Sequence, residues 1–173
     1  IDDYADFGDP PDGHLDFGTS SFSYGFWYNS ETISANNAYL MAKLYATQGY
    51  AIYARSADQS IRSYINFGAV NSNISIGIID PNTWGHGFVT VDSSAYPAGS
   101  TTVRVFLNGV QTGTNTNCGT GSVSSDTNLF LGNDTVAQFS KDYLDEVRIY
   151  NRALSSAEVL QLYQLTTPDQ ANI

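Results

Sequence analysis

The run LDEVRIYNRALSSAEVLQLY, from Leu144 to Tyr163, contains the side chain with the sharpest chemical demand. Read as a strand, its first part places Asp145 on the same face as Val147 and Ile149. Leu144, Glu146, Arg148 and Tyr150 take the other face. An inward carboxylate stays ionised only beside a cation, a metal or several backbone N–H donors. Hydrolytic chemistry would need a second carboxylate facing the same cleft. Glu31, Glu146 and Glu158 are the only glutamates, Glu158 reads as a helix cap, and Glu146 has no acid two residues to either side. His14 and His86 lack zinc-ligand spacing, and no nucleophile elbow, CxxC pair or phosphate loop occurs. The chain therefore reads as non-catalytic. Cys118 is the single cysteine, so no disulfide can close within the chain, and its loop setting in NTNCGTGS reads as an unreactive thiol. Asn73 and Asn133 each open an N-glycosylation sequon, and loop Ser and Thr offer O-glycan positions.

Composition sets the frame for these groups. The 173 residues are 42% hydrophobic, enough for one domain with a real core. Charged residues make up only 14%, with a formal net charge of -10, which excludes nucleic acid as a natural partner and disfavours anionic membranes. The same sign favours cations such as Ca²⁺. Abundant Tyr, Ser, Thr, Asn and Gly suit a secreted or cell-surface module. A start at Ile1 fits a processed protein or a piece of a longer one, and no segment is apolar enough to span a bilayer.

The elements that must position the candidates are mostly strands. Phe22, Tyr24, Phe26 and Tyr28 alternate with Ser23, Gly25 and Trp27; Ile74, Ile76 and Ile78 alternate with Ser75 and Gly77; Val103, Val105 and Leu107 alternate with Thr102, Arg104 and Phe106. Each pattern predicts a half-buried strand. Asn108-Gly109 predicts a tight hairpin, because a type I′ turn needs positive φ at both central residues. One helix is predicted, with a Ser155/Glu158 capping box, a Leu154/Val159 staple, and an end before Pro168. Many short antiparallel strands and a single helix imply an all-β sandwich or jelly roll.

The closing run resembles the last strand and helix of the laminin-G-like, concanavalin A-like jelly-roll domains of prokaryotic surface proteins. LDFGTSSFSYGFWYN, WGHGFVTVD, VRVFLNGV and NLFLGND are similar to earlier family strands and follow in family order, covering about Leu15 to Tyr163. The resemblance implies a two-sheet antiparallel β-sandwich with one short C-terminal helix. Residues 1–14 would form a lead-in or exchanged strand, 15–165 the jelly roll and 166–173 a tail. It further implies one structural calcium at the sandwich rim, held by Asp145 with Asp12, Asp16 and backbone carbonyls. The alternative for Asp145 is local N–H donors or an arginine. Trp27 and Trp84 match core positions where the indole N–H is bonded, which leaves loop tyrosines Tyr4, Tyr39 and Tyr96 to face a sugar. The implied function is a non-catalytic surface module for adhesion, its partner a glycan or surface polymer. The alternative is a fibre or layer subunit built from copies of the chain, each donating Ile1–Gly13 to a neighbour's sheet edge and stopping short of Pro10-Pro11.

Overall fold

The computed structural model describes residues 4–31, 33, 36–45, 48–96, 99–132 and 142–168. Two antiparallel sheets face each other. The first is made by β1 (Ala5–Asp6), β10 (Phe130–Leu131), β3 (Asn36–Tyr45), β4 (Gln48–Arg55), β5 (Ser60–Phe67) and β6 (Asn71–Ile78), in that spatial order. The second runs β11 (Tyr143–Tyr150), β2 (Phe22–Asn29), β7 (Gly85–Asp92), β8 (Thr102–Leu107) and β9 (Val110–Asn115). Helix α1 (Ser156–Leu165) follows β11. The expected sandwich and its closing helix are thus both present.

The alternating patterns build the shared core. Phe22, Tyr24, Phe26 and Tyr28 point inward and meet Tyr50, Ile52, Ile61 and Ile65 from the facing sheet. Phe17, Phe22, Tyr24 and Tyr50 form a ring cluster with centroids 4.5–5.7 Å apart. The Asn108-Gly109 turn joins β8 to β9 with φ of 50° and 77°, as the dipeptide predicts. The capping box at α1 is complete, with Glu158 N–H donating to Ser155 Oγ and Ser155 N–H to Glu158 Oε2.

Three strand expectations are corrected by particular residues. β2 is buried on both faces rather than half-buried, because Leu154 and Val159 close a second small core with Phe88 and Phe106 on the outer side of its sheet. In β6 a register shift opposite Ile61/Arg62 turns Ile78 out to solvent while Ile76 stays buried. In β11 the pairing steps from Asp145↔Trp27 to Arg148↔Gly25, with Glu146 at φ 50°. That bulge breaks the period of two. Leu144, Val147 and Ile149 pack on the core together, and Asp145 is left exposed, accepting the Glu146 N–H at 2.8 Å. The inward carboxylate read from the sequence does not exist.

Beneath α1 lies a buried imidazole. His86 is 2% exposed, with its ring 5.3 Å from Trp27, 5.5 Å from Phe88 and 6.2 Å from Tyr163. Burial, with Arg148 adding repulsion, lowers its pKa to about 4. The unfolded chain takes up this proton near the ordinary value of 6.5, whereas the folded chain resists until pH 4. Stability from this group is therefore full above pH 6.5 and falls as pH drops through that window, by about 3 kcal/mol. Denaturant titrations at pH 7 and pH 4.5 should show this loss. His86→Phe should flatten the difference between the two pH values, and an unchanged slope in that variant would assign the loss to other groups.

Candidate functional site

The buried charge that the sequence demanded is found in the other sheet. On β3, Lys43 pairs with Tyr50 of β4 and so points between the sheets, at the end of the aromatic cluster. Its side chain is 1% exposed. An ammonium has three protons, and all three are used: Lys43 Nζ donates to Asp9 Oδ1 at 2.7 Å, to the Ser125 carbonyl at 2.6 Å and to the Thr127 carbonyl at 2.8 Å. Asp16 Oδ1 lies 3.3 Å away and accepts the Ser125 N–H at 3.1 Å. One internal cation thereby ties β3 to the N-terminal segment and to the loop before β10.

Further bonds lace that loop to the segment. Gly18 N–H donates to Ser124 Oγ at 3.0 Å, and Val123 N–H to the Gly18 carbonyl at 2.9 Å. The Ser125 and Thr127 hydroxyls are 2.7 Å apart. Gly121 lets the loop lie against β5, since a Cβ there would stand 1.6 Å from the Phe67 carbonyl oxygen. Gly121→Ala must move backbone, and it should cost about 1–3 kcal/mol in chemical denaturation. A neutral outcome would mean that the loop is not seated this closely.

Just beyond Lys43, the ends of β3 and β4 and the loop before β10 frame a pocket of about 300 Å³, its mouth lined by Tyr45, Gln48 and Ser124 to Thr127. Tyr45 and Gln48 are opposed residues of β3 and β4, and they follow Lys43 and Tyr50 on the same face. Tyr45 is 64% exposed, a ring standing at the rim. Among the described residues the Gln48 amide and the Asp126 carboxylate make no side-chain hydrogen bond, and Asp126 is exposed. The site thus combines an exposed aromatic face, an amide, a carboxylate and a wall of hydroxyls. This set hydrogen-bonds and stacks; it has no acid–base pair to cleave a bond.

The residues named from the sequence fall elsewhere. Tyr4 is exposed and leans on Phe130 at 6.0 Å; Tyr39 is half-buried against Tyr53 at 5.7 Å; Tyr96 is exposed in the turn after β7. None of the three lines the pocket. Asp12 is exposed and engaged by His14, Asp16 is engaged by Lys43, and Asp145 is on the surface. No three Asp, Glu, His or Cys side chains gather among the described residues, and Asp12, Asp16 and Asp145 are not brought together. Asn73 donates to the Tyr53 hydroxyl at 3.0 Å and accepts from Arg62 Nε at 2.9 Å, while Asn133 lies outside the described residues. Trp27 is buried and donates to Thr166 Oγ1 at 2.9 Å, as expected; the Trp84 N–H has no partner among the described residues. Cys118 is buried beside the Asn115 carbonyl, and burial pushes its thiol pKa up. Of the pocket residues, the sequence reading named none.

A profile of the concanavalin A-like lectin/glucanases superfamily, of laminin-G type, matches residues 2–160. The chain belongs to this superfamily. The jelly-roll resemblance carried by the strand motifs is thereby confirmed. No curated protein matches the chain. Among solved structures, the superfamily fold recurs in the binding domain of Paraclostridial Mosquitocidal Protein 1, at 20% identity and TM-score 0.66, covering 86% of this chain and 38% of that one. It recurs in the botulinum neurotoxin serotype G binding domain, at 15% identity and TM-score 0.67, covering 87% and 37%. A heptameric SAP-like pentraxin from Limulus polyphemus follows at 17% identity and TM-score 0.62, covering 86% and 71%. The chain thus spans under two-fifths of the toxin binding domains. At these identities the likeness is one of fold, and function rests on the site.

Proposed function

We propose that this chain is a non-catalytic extracellular binding module that holds a glycan at the mouth framed by the ends of β3 and β4 and the loop before β10. The observation that carries the reading is the exposed Tyr45 ring beside the Gln48 amide and the Asp126 carboxylate. An exposed aromatic face stacks on the C–H face of a pyranose, and an amide and carboxylate satisfy its ring hydroxyls. Ligand pockets occupy roughly 300–1,000 Å³, and the mouth stands at the small end, suited to one or two sugar units. Solved structures that share the fold include toxin binding domains. The superfamily also includes glucanases, but the three glutamates do not supply a cleavage pair here: Glu146 is held by Arg148, Glu158 caps α1, and Glu31 stands apart from the pocket lining. Among the described residues no helix is long and apolar enough to cross a membrane.

Assembly by strand exchange has less support. Ala5 and Asp6 of the segment to be donated pair with Leu131 and Phe130 of their own chain, and Asp9 is held by Lys43. Saturation-transfer NMR against a panel of neutral and acidic oligosaccharides tests the glycan reading. Transfer to one or more members supports it, and a uniformly silent panel would contradict it.

A further inference from the structure

Resting on that reading, we infer that the mouth selects uncharged sugars and rejects acidic ones. The inference comes from where the cations are. Lys43 is the one lysine among the described residues, and its three protons are consumed by Asp9 and two carbonyls. Its side chain is 1% exposed, so it cannot reach a ligand in the pocket. Arg55 and Arg62 pair with Asp58, Arg104 with Asp92, Arg148 with Glu146, and Arg152 with Glu158. None of them lines the mouth. The strongest carboxylate recognition uses a guanidinium or ammonium, and no described residue offers a free one at the mouth.

The charges that do surround the mouth have the wrong sign for an anion. Asp126 lines it, and Asp9 and Asp16 stand behind its wall, so three carboxylates face one ammonium and two negative charges remain. A sialyl, uronyl or sulfate group placed against Asp126 meets like-charge repulsion. An uncharged pyranose meets the same carboxylate differently. Its neighbouring hydroxyls donate to the two carboxylate oxygens, which are acceptors only, and its remaining oxygens take the Gln48 N–H donors. Asp126 is therefore both an acceptor for neutral sugars and the element that excludes acidic ones.

The test is an array carrying lactose, cellobiose, N,N′-diacetylchitobiose and mannobiose, each beside a sialylated, glucuronylated or sulfated counterpart, probed with the full chain and with Asp126→Asn. At least one neutral member should bind, with its acidic counterpart at least tenfold weaker, and Asp126→Asn should shrink that ratio severalfold. Acidic members binding as tightly as neutral ones, or a ratio unmoved in Asp126→Asn, would overturn the selectivity while leaving glycan binding in place. An array silent for both classes would overturn the glycan reading and this inference with it.

Discussion

Replacing Lys43 by Met should destabilise the fold by about 3–5 kcal/mol, the cost typical of removing one partner from a buried ion pair. Met fills a similar volume but brings no proton. Asp9 and Asp16, both less than one-third exposed, would face each other without their cation, and the Ser125 and Thr127 carbonyls would lose a donor. For a chain of this size that loss lowers the melting temperature by roughly 6–20 °C. Arg is no substitute, because its planar fork does not reproduce a tripod of three converging acceptors. A melting curve by circular dichroism decides the matter. Adding Asp9→Asn and Asp16→Asn to the Met variant should recover part of the loss, since the stranded charges are then removed. A single-variant loss below about 1 kcal/mol would place Lys43 among ordinary surface lysines.

The second large effect concerns binding. Tyr45→Ala should weaken glycan affinity by about 1–2 kcal/mol, or roughly 5–30-fold, as truncating an aromatic anchor does. Because the ring is 64% exposed, stability should stay within about 0.5 kcal/mol of the parent. This separation makes the variant informative. Tyr45→Phe and Tyr45→Trp keep a stacking face and should retain most of the affinity. Equal loss in Tyr45→Phe and Tyr45→Ala would show that the hydroxyl, and not the ring face, holds the ligand.

The two variants test one arrangement from its hidden and its open side. Lys43 fixes Ser125 and Thr127, the same residues that form the pocket wall, so the cation that stabilises the sandwich also shapes its mouth. The pocket is thereby built on a strand pair and a pinned loop rather than on a free loop. Such support keeps a binding surface close to its bound geometry.

What could be read from the sequence was whatever is local. The capping box at Ser155 and Glu158, the Asn108-Gly109 turn and the inward set Phe22, Tyr24, Phe26 and Tyr28 are set by neighbours a few residues apart and appear as expected, whereas the cover on the outer side of β2 comes from residues far along the chain. A bulge is not legible in this way. Glu146 at φ 50° inserts a residue that no alternation pattern reveals, and it moved Asp145 from the core to the surface. The question of an inward charge was sound, but it belonged to Lys43. In LMAKL a cation interrupts an apolar run, and that interruption was the available signal. Its acceptors are 34, 82 and 84 residues away in sequence, so their identity follows only from the fold. Tyr45 was hidden for a similar reason. As one of twelve tyrosines it is marked only by its place at the end of β3, next to a loop that sequence does not bring near it.

The most direct measurement is an NMR shift map of the full chain titrated with a neutral oligosaccharide that it binds. A glycan seated at the mouth predicts that the perturbed amides and side chains cluster at Tyr45, Gln48 and Ser124 to Thr127, with smaller changes at Lys43. Perturbations confined to the part of the first sheet around Tyr39, Tyr53 and Asn73, with the mouth silent, would contradict it.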